Sequence, residues 1–187
     1  MIILGIDPGS RKTGYAVIES ERNRNTIVDF GTIFLTDIKS MPDKLVTIFD
    51  KMGELFQRFP IGSVAVEAGF YGKNAQSAYK LGYARSAAVL AAALQRVEVV
   101  EYSPRKVKQA VTGNGNASKV QVKYMVKKLL SGAADLPLRE DEADACAVAI
   151  CHAQNQGAGK GGYRNWKEFV EKNSHLVVKR VPLRRVK

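Results

Sequence analysis

A chain of 187 residues, 45% of them apolar, is long enough to bury one substantial core and predicts a single globular domain. Its formal charge of +11 and pI near 9.7 favour a polyanionic partner such as nucleic acid over an acidic small substrate. Two cysteines, Cys146 and Cys151, exclude a zinc cage and a CxxC redox pair, and no apolar run reaches the roughly 18 residues of a membrane span, so the expected compartment is the cytoplasm.

The chain opens with three strand-like runs, residues 2–7, 14–20 and 26–36, rich in Ile, Val, Phe and Thr and separated by Gly- or Asn-containing turns. They read as an antiparallel meander. Residues 41–58 place Leu45, Ile48, Phe49, Met52, Leu55 and Phe56 at helical spacing, an amphipathic helix with one face for the sheet, closed by Pro60. Residues 62–67, GSVAVE, are a short continuous apolar run of the kind found in a buried central strand. A helix over 74–96 follows, so rich in small residues that another surface can approach its backbone. Residues 97–102 make a fifth strand, and Ser103-Pro104 supplies an N-cap and a first-turn proline for a helix to about Thr112. After the GNGN loop, Ser118 caps a short helix over 119–130. A last helix runs from Glu140 and presents Ala145, Val148, Ala149 and His152 to the sheet. The order predicts an α/β fold with a five-stranded mixed sheet flanked by helices.

Beyond residue 156 the composition changes. Residues 157–187 carry nine Lys or Arg against two Glu, a net +7, which leaves +4 for residues 1–156. Four glycines in the six residues from Gly157 argue against continuing the helix. The expectation is a globular domain over 1–156 and a basic, flexible arm over 157–187, suited either to solvation or to loose phosphate contact.

Two carboxylates end core strands: Asp7 closes IILGID and Glu67 closes GSVAVE. A carboxylate in that position is expensive to bury without a compensating cation or proton. Asp141 and Asp144, three apart, share one helix face. If the last helix crosses the ends of strands one and four, the four acids converge, and their repulsion calls for divalent cations. Oxygen-only ligands select hard ions, Mg²⁺ or Mn²⁺, and a pair of ions suits in-line phosphoryl transfer. The competing reading is that Glu140, Asp141 and Glu142 merely suit a helix N-terminus. His152, more than two turns beyond Asp144, reads as structural, as does Cys151.

Four segments, ILGIDPGSRKTGYAVIE, VAVEAGFYGKNAQSAYKLGYAR, VEYSPRKVKQAVTGNGNASKVQV and DEADACAVAICHA, in this order and spacing, closely resemble the RuvC Holliday junction resolvases over residues 1 to about 153. The resemblance implies a ribonuclease H-like fold, a homodimer, two-metal cleavage of symmetric strands of a four-way DNA junction, and coupling to the RuvA and RuvB branch-migration proteins. It places the four acidic ligands on Asp7, Glu67, Asp141 and Asp144. It also implies that Phe70, otherwise readable as a core residue, stacks on bases at the opened junction, and that Lys108 and Lys119 lie near the scissile phosphate. Arg11, Lys12, Lys73, Lys123, Lys127 and Lys128 are further candidates for DNA backbone contact. The tail has no counterpart in the motif-bearing part. Two alternatives stand beside this reading: a YqgF-like nuclease of structured RNA, which shares a start like GIDPGS, and a non-catalytic four-way-junction binding protein. A sugar-kinase or actin-like ATPase is disfavoured, because no second phosphate loop or adenosine motif is present.

Overall fold

The first three strand-like runs form the expected meander in the computed structural model, which describes residues 1–22, 24–69 and 75–158. Strand β1 (Ile2–Asp7) pairs antiparallel with β2 (Lys12–Glu21), and β2 with β3 (Arg24–Phe34). Strand β4 (Ile61–Glu67), a continuous apolar run suited to the sheet interior, joins β1 in parallel, and β5 (Glu98–Tyr102) joins β4 in parallel at the sheet edge. The sheet has six strands rather than five, in the order β5-β4-β1-β2-β3-β6. The added β6 is Leu130–Ser131, two residues that pair in parallel with Asn25 and Thr26 of β3. Leu130 leaves the preceding helix in extended conformation, so that helix ends one residue short of the expected limit. A two-residue strand has no periodicity to read.

Helices cover both faces. On one lie α1 (Met41–Arg58) and α2 (Ala75–Leu94). Ile48, Met52 and Leu55 of α1 pack with Ala84, Ala88 and Ala92 of α2 on Leu4, Ile6, Val17, Val64 and Val66. On the other lie α3 (Pro104–Thr112), α4 (Lys119–Leu129) and α5 (Glu140–Ala158), closing a second core over Ile3, Ala16, Ile18 and Ala65. The caps form as their sequences dictate. Ser103 Oγ accepts from the Lys106 N–H at 3.3 Å, and Ser118 and Gln121 make a reciprocal capping box.

Helix α5 is the central element, with every residue from Ala145 to His152 buried. A helix this apolar on all sides belongs inside. Its alanines let it lie backbone to backbone on β1: a Cβ built at Gly5 would collide with the Ala145 carbonyl oxygen and stand 2.8 Å from the Ala149 Cβ. His152 fastens its later turns, with Nδ1 2.9 Å from the Tyr102 hydroxyl on β5 and Nε2 3.0 Å from Ser63 Oγ on β4. That confirms its structural reading. Cys146 and Cys151 are buried on the same helix, and burial pushes their thiols up to about 12 and about 11. Among the described residues no helix is long and apolar enough to cross a membrane.

Candidate active site

Strand register assembles the acids. Asp7 pairs with Gly14 of β2, and Gly14 with Thr32 of β3. On the other side, Ile6 pairs with Val66 and Glu67 with Tyr102. Asp7 and Glu67 therefore end neighbouring parallel strands side by side. Side chains alternate along a strand, so this row faces the same side as Ile3, Gly5, Ala16 and Ala65, which is the side covered by α5.

Helix α5 brings the remaining two. A Cβ on Gly14 would collide with the carbonyl oxygen of Asp141 and lie 3.2 Å from its Cβ, so the first turn of α5 rests directly on β2. Glycine inside a strand often marks such an approach. Asp144, one turn on, is half-buried and held by Lys119 at the start of α4, its Nζ 3.2 Å from Asp144 Oδ2 and 3.8 Å from Glu140 Oε2.

The electrostatics follow from this proximity. The Asp7 carboxyl is raised well above the usual carboxylate range, first by burial and then by Glu67, Asp144 and Asp141, with Lys119 pulling the other way. Burial, then Asp144, push Glu67 up to about 7 against Lys119 and Lys108. Asp144 is raised by burial most of all, with Lys119 opposing and Asp141 and Glu140 adding to the rise. Burial pulls the Lys119 ammonium down, but Asp144, Glu140 and Asp7 outweigh it and leave it raised. Four acids and two lysines thus share one field. Among the described residues no three His, Cys, Asp or Glu side chains are drawn in tightly enough to enclose an ion as they stand. Bare carboxylates repel one another, and Lys119 already draws Asp144 towards itself.

This arrangement links stability to pH. An unfolded Glu67 loses its proton near 4.5, whereas the folded one holds it to about 7. Across that window the native state binds the extra proton, so stability is fullest below 4.5 and declines as pH rises through about 7. The melting temperature of the ion-free protein is expected to fall between about pH 5 and 7.5. Glu67→Gln should shallow that fall, and saturating Mg²⁺ should flatten it. Thermal melts in chelator that show the same slope for wild type and Glu67→Gln would contradict the burial of this carboxyl.

The other candidates distribute unevenly. Lys108 lies on α3 within electrostatic reach of Glu67. Arg11 and Lys12 are exposed where β2 begins. Lys12 Nζ stands 5.7 Å from the Phe34 ring and the Arg139 guanidinium 5.0 Å from the same ring, giving a cationic rim beside the first turn of α5. Lys123, Lys127 and Lys128 follow along α4. Phe70, Lys73 and residues 159–187 of the arm lie outside the described residues. Gly5, Gly14, Thr32 and Arg139 are not candidates on sequence grounds, and Glu142 is one only for the helix N-terminus. The two glycines carried a signal, being glycines in strand-like runs, whereas Thr32 carried none.

A profile of the family described as crossover junction endodeoxyribonuclease RuvC matches residues 3–152. The curated RuvC of Citrifermentans bemidjiense is 51% identical over 159 residues, covering 84% of this chain and 94% of that protein. The Thermus thermophilus RuvC structure superposes with a TM-score of 0.77 at 32% identity, covering 85% of this chain and 97% of that one. The same T. thermophilus protein in complex with its Holliday junction substrate gives 0.76 at 30% identity, with the same coverage.

Proposed function

The chain belongs to the RuvC family of crossover junction endodeoxyribonucleases, and from that premise we propose that it resolves Holliday junctions by paired symmetric nicks, with Asp7, Glu67, Asp141 and Asp144 as its metal ligands. The observation that supports the assignment of the site is that strand register sets Asp7 beside Glu67 while the first turn of α5 rests on Gly14 at Asp141; burial and the neighbouring acids raise Asp7 and Glu67, so cationic charge is needed for them to ionise together.

The donor set fits hard divalent ions, since every candidate ligand is a carboxylate oxygen. Two bound Mg²⁺ ions, or Mn²⁺ in their place, would neutralise the acids, activate the attacking water and steady the leaving 3′-oxygen of the scissile phosphodiester. The chain's own residues do the rest. Lys119, beside Asp144, and Lys108, within electrostatic reach of Glu67, would offer cationic charge to the phosphate. Phe70 stacks on a base at the opened junction centre, while Arg11, Lys12 and Lys73 hold the backbone. The products are a 5′-phosphate and a 3′-hydroxyl.

We place the nuclease domain at residues 1–156 and a basic arm for phosphate contact at 157–187, with the last two residues of α5, to Ala158, lying across that boundary. Two copies are needed for symmetric nicks, and α2 offers a surface for pairing them. Its Tyr79, Tyr83, Leu90 and Leu94 are 70%, 52%, 55% and 63% exposed and fall along one side of the helix. RuvA and RuvB are the expected partners in branch migration, and the cytoplasm the expected compartment. A structured-RNA nuclease and a non-catalytic junction binder are not favoured by the family match.

The test is cutting of a mobile four-way junction in Mg²⁺, with linear duplex and structured RNA alongside. Paired nicks in opposing arms, bearing 5′-phosphates, are expected on the junction alone. Tight junction binding without cutting, or preference for the RNA, would overturn the proposal.

A further inference from the structure

Glu142 stands inside the acidic run that opens α5, yet it is only 6% exposed and is not one of the four acids described above. Both its oxygens are engaged. Oε1 accepts from Thr32 Oγ1 at 3.0 Å, and Oε2 accepts from the backbone N–H of Arg139 at 2.7 Å. A carboxylate kept out of water needs such bonds to replace its hydration. The second is the reach-back half of a capping box, in which the third helical residue satisfies the N–H of the residue before the helix. The first has no local origin, because it spans 110 residues to the edge of β3.

Its location gives it a consequence. Thr32 pairs with Gly14, Gly14 pairs with Asp7, and Asp141 rests on Gly14. The first turn of α5 is therefore seated at two neighbouring points of one row, by contact at Gly14 and by a hydrogen bond at Thr32. Asp141 immediately precedes Glu142, and Asp144 follows two residues later. The next attachment of α5 to the sheet, through His152, lies more than two turns away.

We propose that Glu142 and Thr32 are positioning residues, a latch that sets the height and rotation of the first turn of α5 and so fixes Asp141 and Asp144 relative to Asp7 and Glu67; this rests on the reading of those four acids as ion ligands. Glu142 serves here to hold the helix turn and not as a ligand, each of its oxygens already accepting a hydrogen bond within the fold.

The test compares Glu142→Ala, Glu142→Gln, Thr32→Val and Thr32→Ser with wild type, measuring Mn²⁺ affinity by calorimetry on the protein without DNA. Junction affinity is measured in chelator, and junction cutting as a function of Mg²⁺. Glu142→Ala is expected to weaken Mn²⁺ binding by about 10–100-fold, the usual loss when a group orienting a metal ligand is removed. Thr32→Val should move in the same direction by less. Glu142→Gln keeps one oxygen to accept from the Arg139 N–H and can hold Thr32 by donating its amide N–H to Oγ1, and Thr32→Ser keeps the hydroxyl; both should stay near wild type, and all four should bind the junction normally in chelator. Unchanged Mn²⁺ affinity in Glu142→Ala would overturn the latch. So would a Glu142→Gln as impaired as Glu142→Ala, because charge rather than bond geometry would then matter. Should Glu142→Ala not fold, the Thr32 pair decides: equal affinities overturn the latch, and a loss confined to Thr32→Val upholds it. A wild type that cuts no junction, yet loses Mn²⁺ affinity on Glu142→Ala, would remove the proposed function and leave the latch standing.

Discussion

Replacing Asp7 by Asn is expected to reduce junction cutting by at least about 10²–10³-fold, the range for losing one preorganised charge-stabilising group. Junction affinity should be nearly unchanged, because the substitution removes a carboxylate charge and almost no contact surface. The same variant should melt several degrees higher than wild type in chelator at neutral pH. Asp7 is buried and raised by its own burial and by Glu67, Asp144 and Asp141, so its ionised form is a cost to the fold that an amide does not incur. Gain of stability with loss of activity is the signature of a site held in a destabilised arrangement for its chemistry. Parallel cleavage assays and thermal melts check both halves. Cutting within a few-fold of wild type, or a lower melting temperature, would count against Asp7 as a buried ligand.

Gly14→Ala should be almost as damaging, although it alters no ionisable group. Its Cβ would collide with the Asp141 carbonyl oxygen, and neither backbone can step aside as a flexible side chain can. Helix α5 must lift or tilt at its first turn. Overpacking of this kind costs about 1–3 kcal/mol, and a displacement near 1 Å at reacting groups costs roughly 10²-fold in rate. Gly53→Ala is the control, because a Cβ there meets nothing within 4 Å and Gly53 lies inside α1. It should stabilise by about 0.5–1 kcal/mol and leave cutting untouched. Denaturation midpoints and single-turnover rates separate the two. A Gly14→Ala enzyme with normal turnover would mean that the seat of α5 on β2 does not govern the acids.

Much of this is legible in the sequence alone. Asp7 and Glu67 could be read because an acid at the end of an apolar strand needs a reason, and the i, i+3 spacing of Asp141 and Asp144 puts them on one helix face whatever that helix packs against. That the four share a field depends on α5 crossing β1 and β2, which is a matter of long-range packing. Gly5 and Gly14 hinted at a close approach without saying which element approaches. Glu142 looked like another surface acid at a helix start. Its capping bond is local and readable, but its bond to Thr32 joins residues whose proximity only the folded sheet creates. The miscounted strand has a similar origin, because Leu130 and Ser131 become a strand only where β3 offers an edge to pair with. Lys119 shows the limit of residue-type reasoning, since nothing local separates it from Lys123 or Lys127 until its Nζ is placed 3.2 Å from Asp144.

The central claim is that Asp7, Glu67, Asp141 and Asp144 form one two-ion centre. Anomalous diffraction from crystals of the wild-type protein soaked in Mn²⁺ tests it most directly. Two anomalous peaks roughly 3.5–4 Å apart, each bounded by oxygens of these four residues, are predicted. Full Mn²⁺ occupancy elsewhere in the protein with no peak among these carboxylates would contradict it.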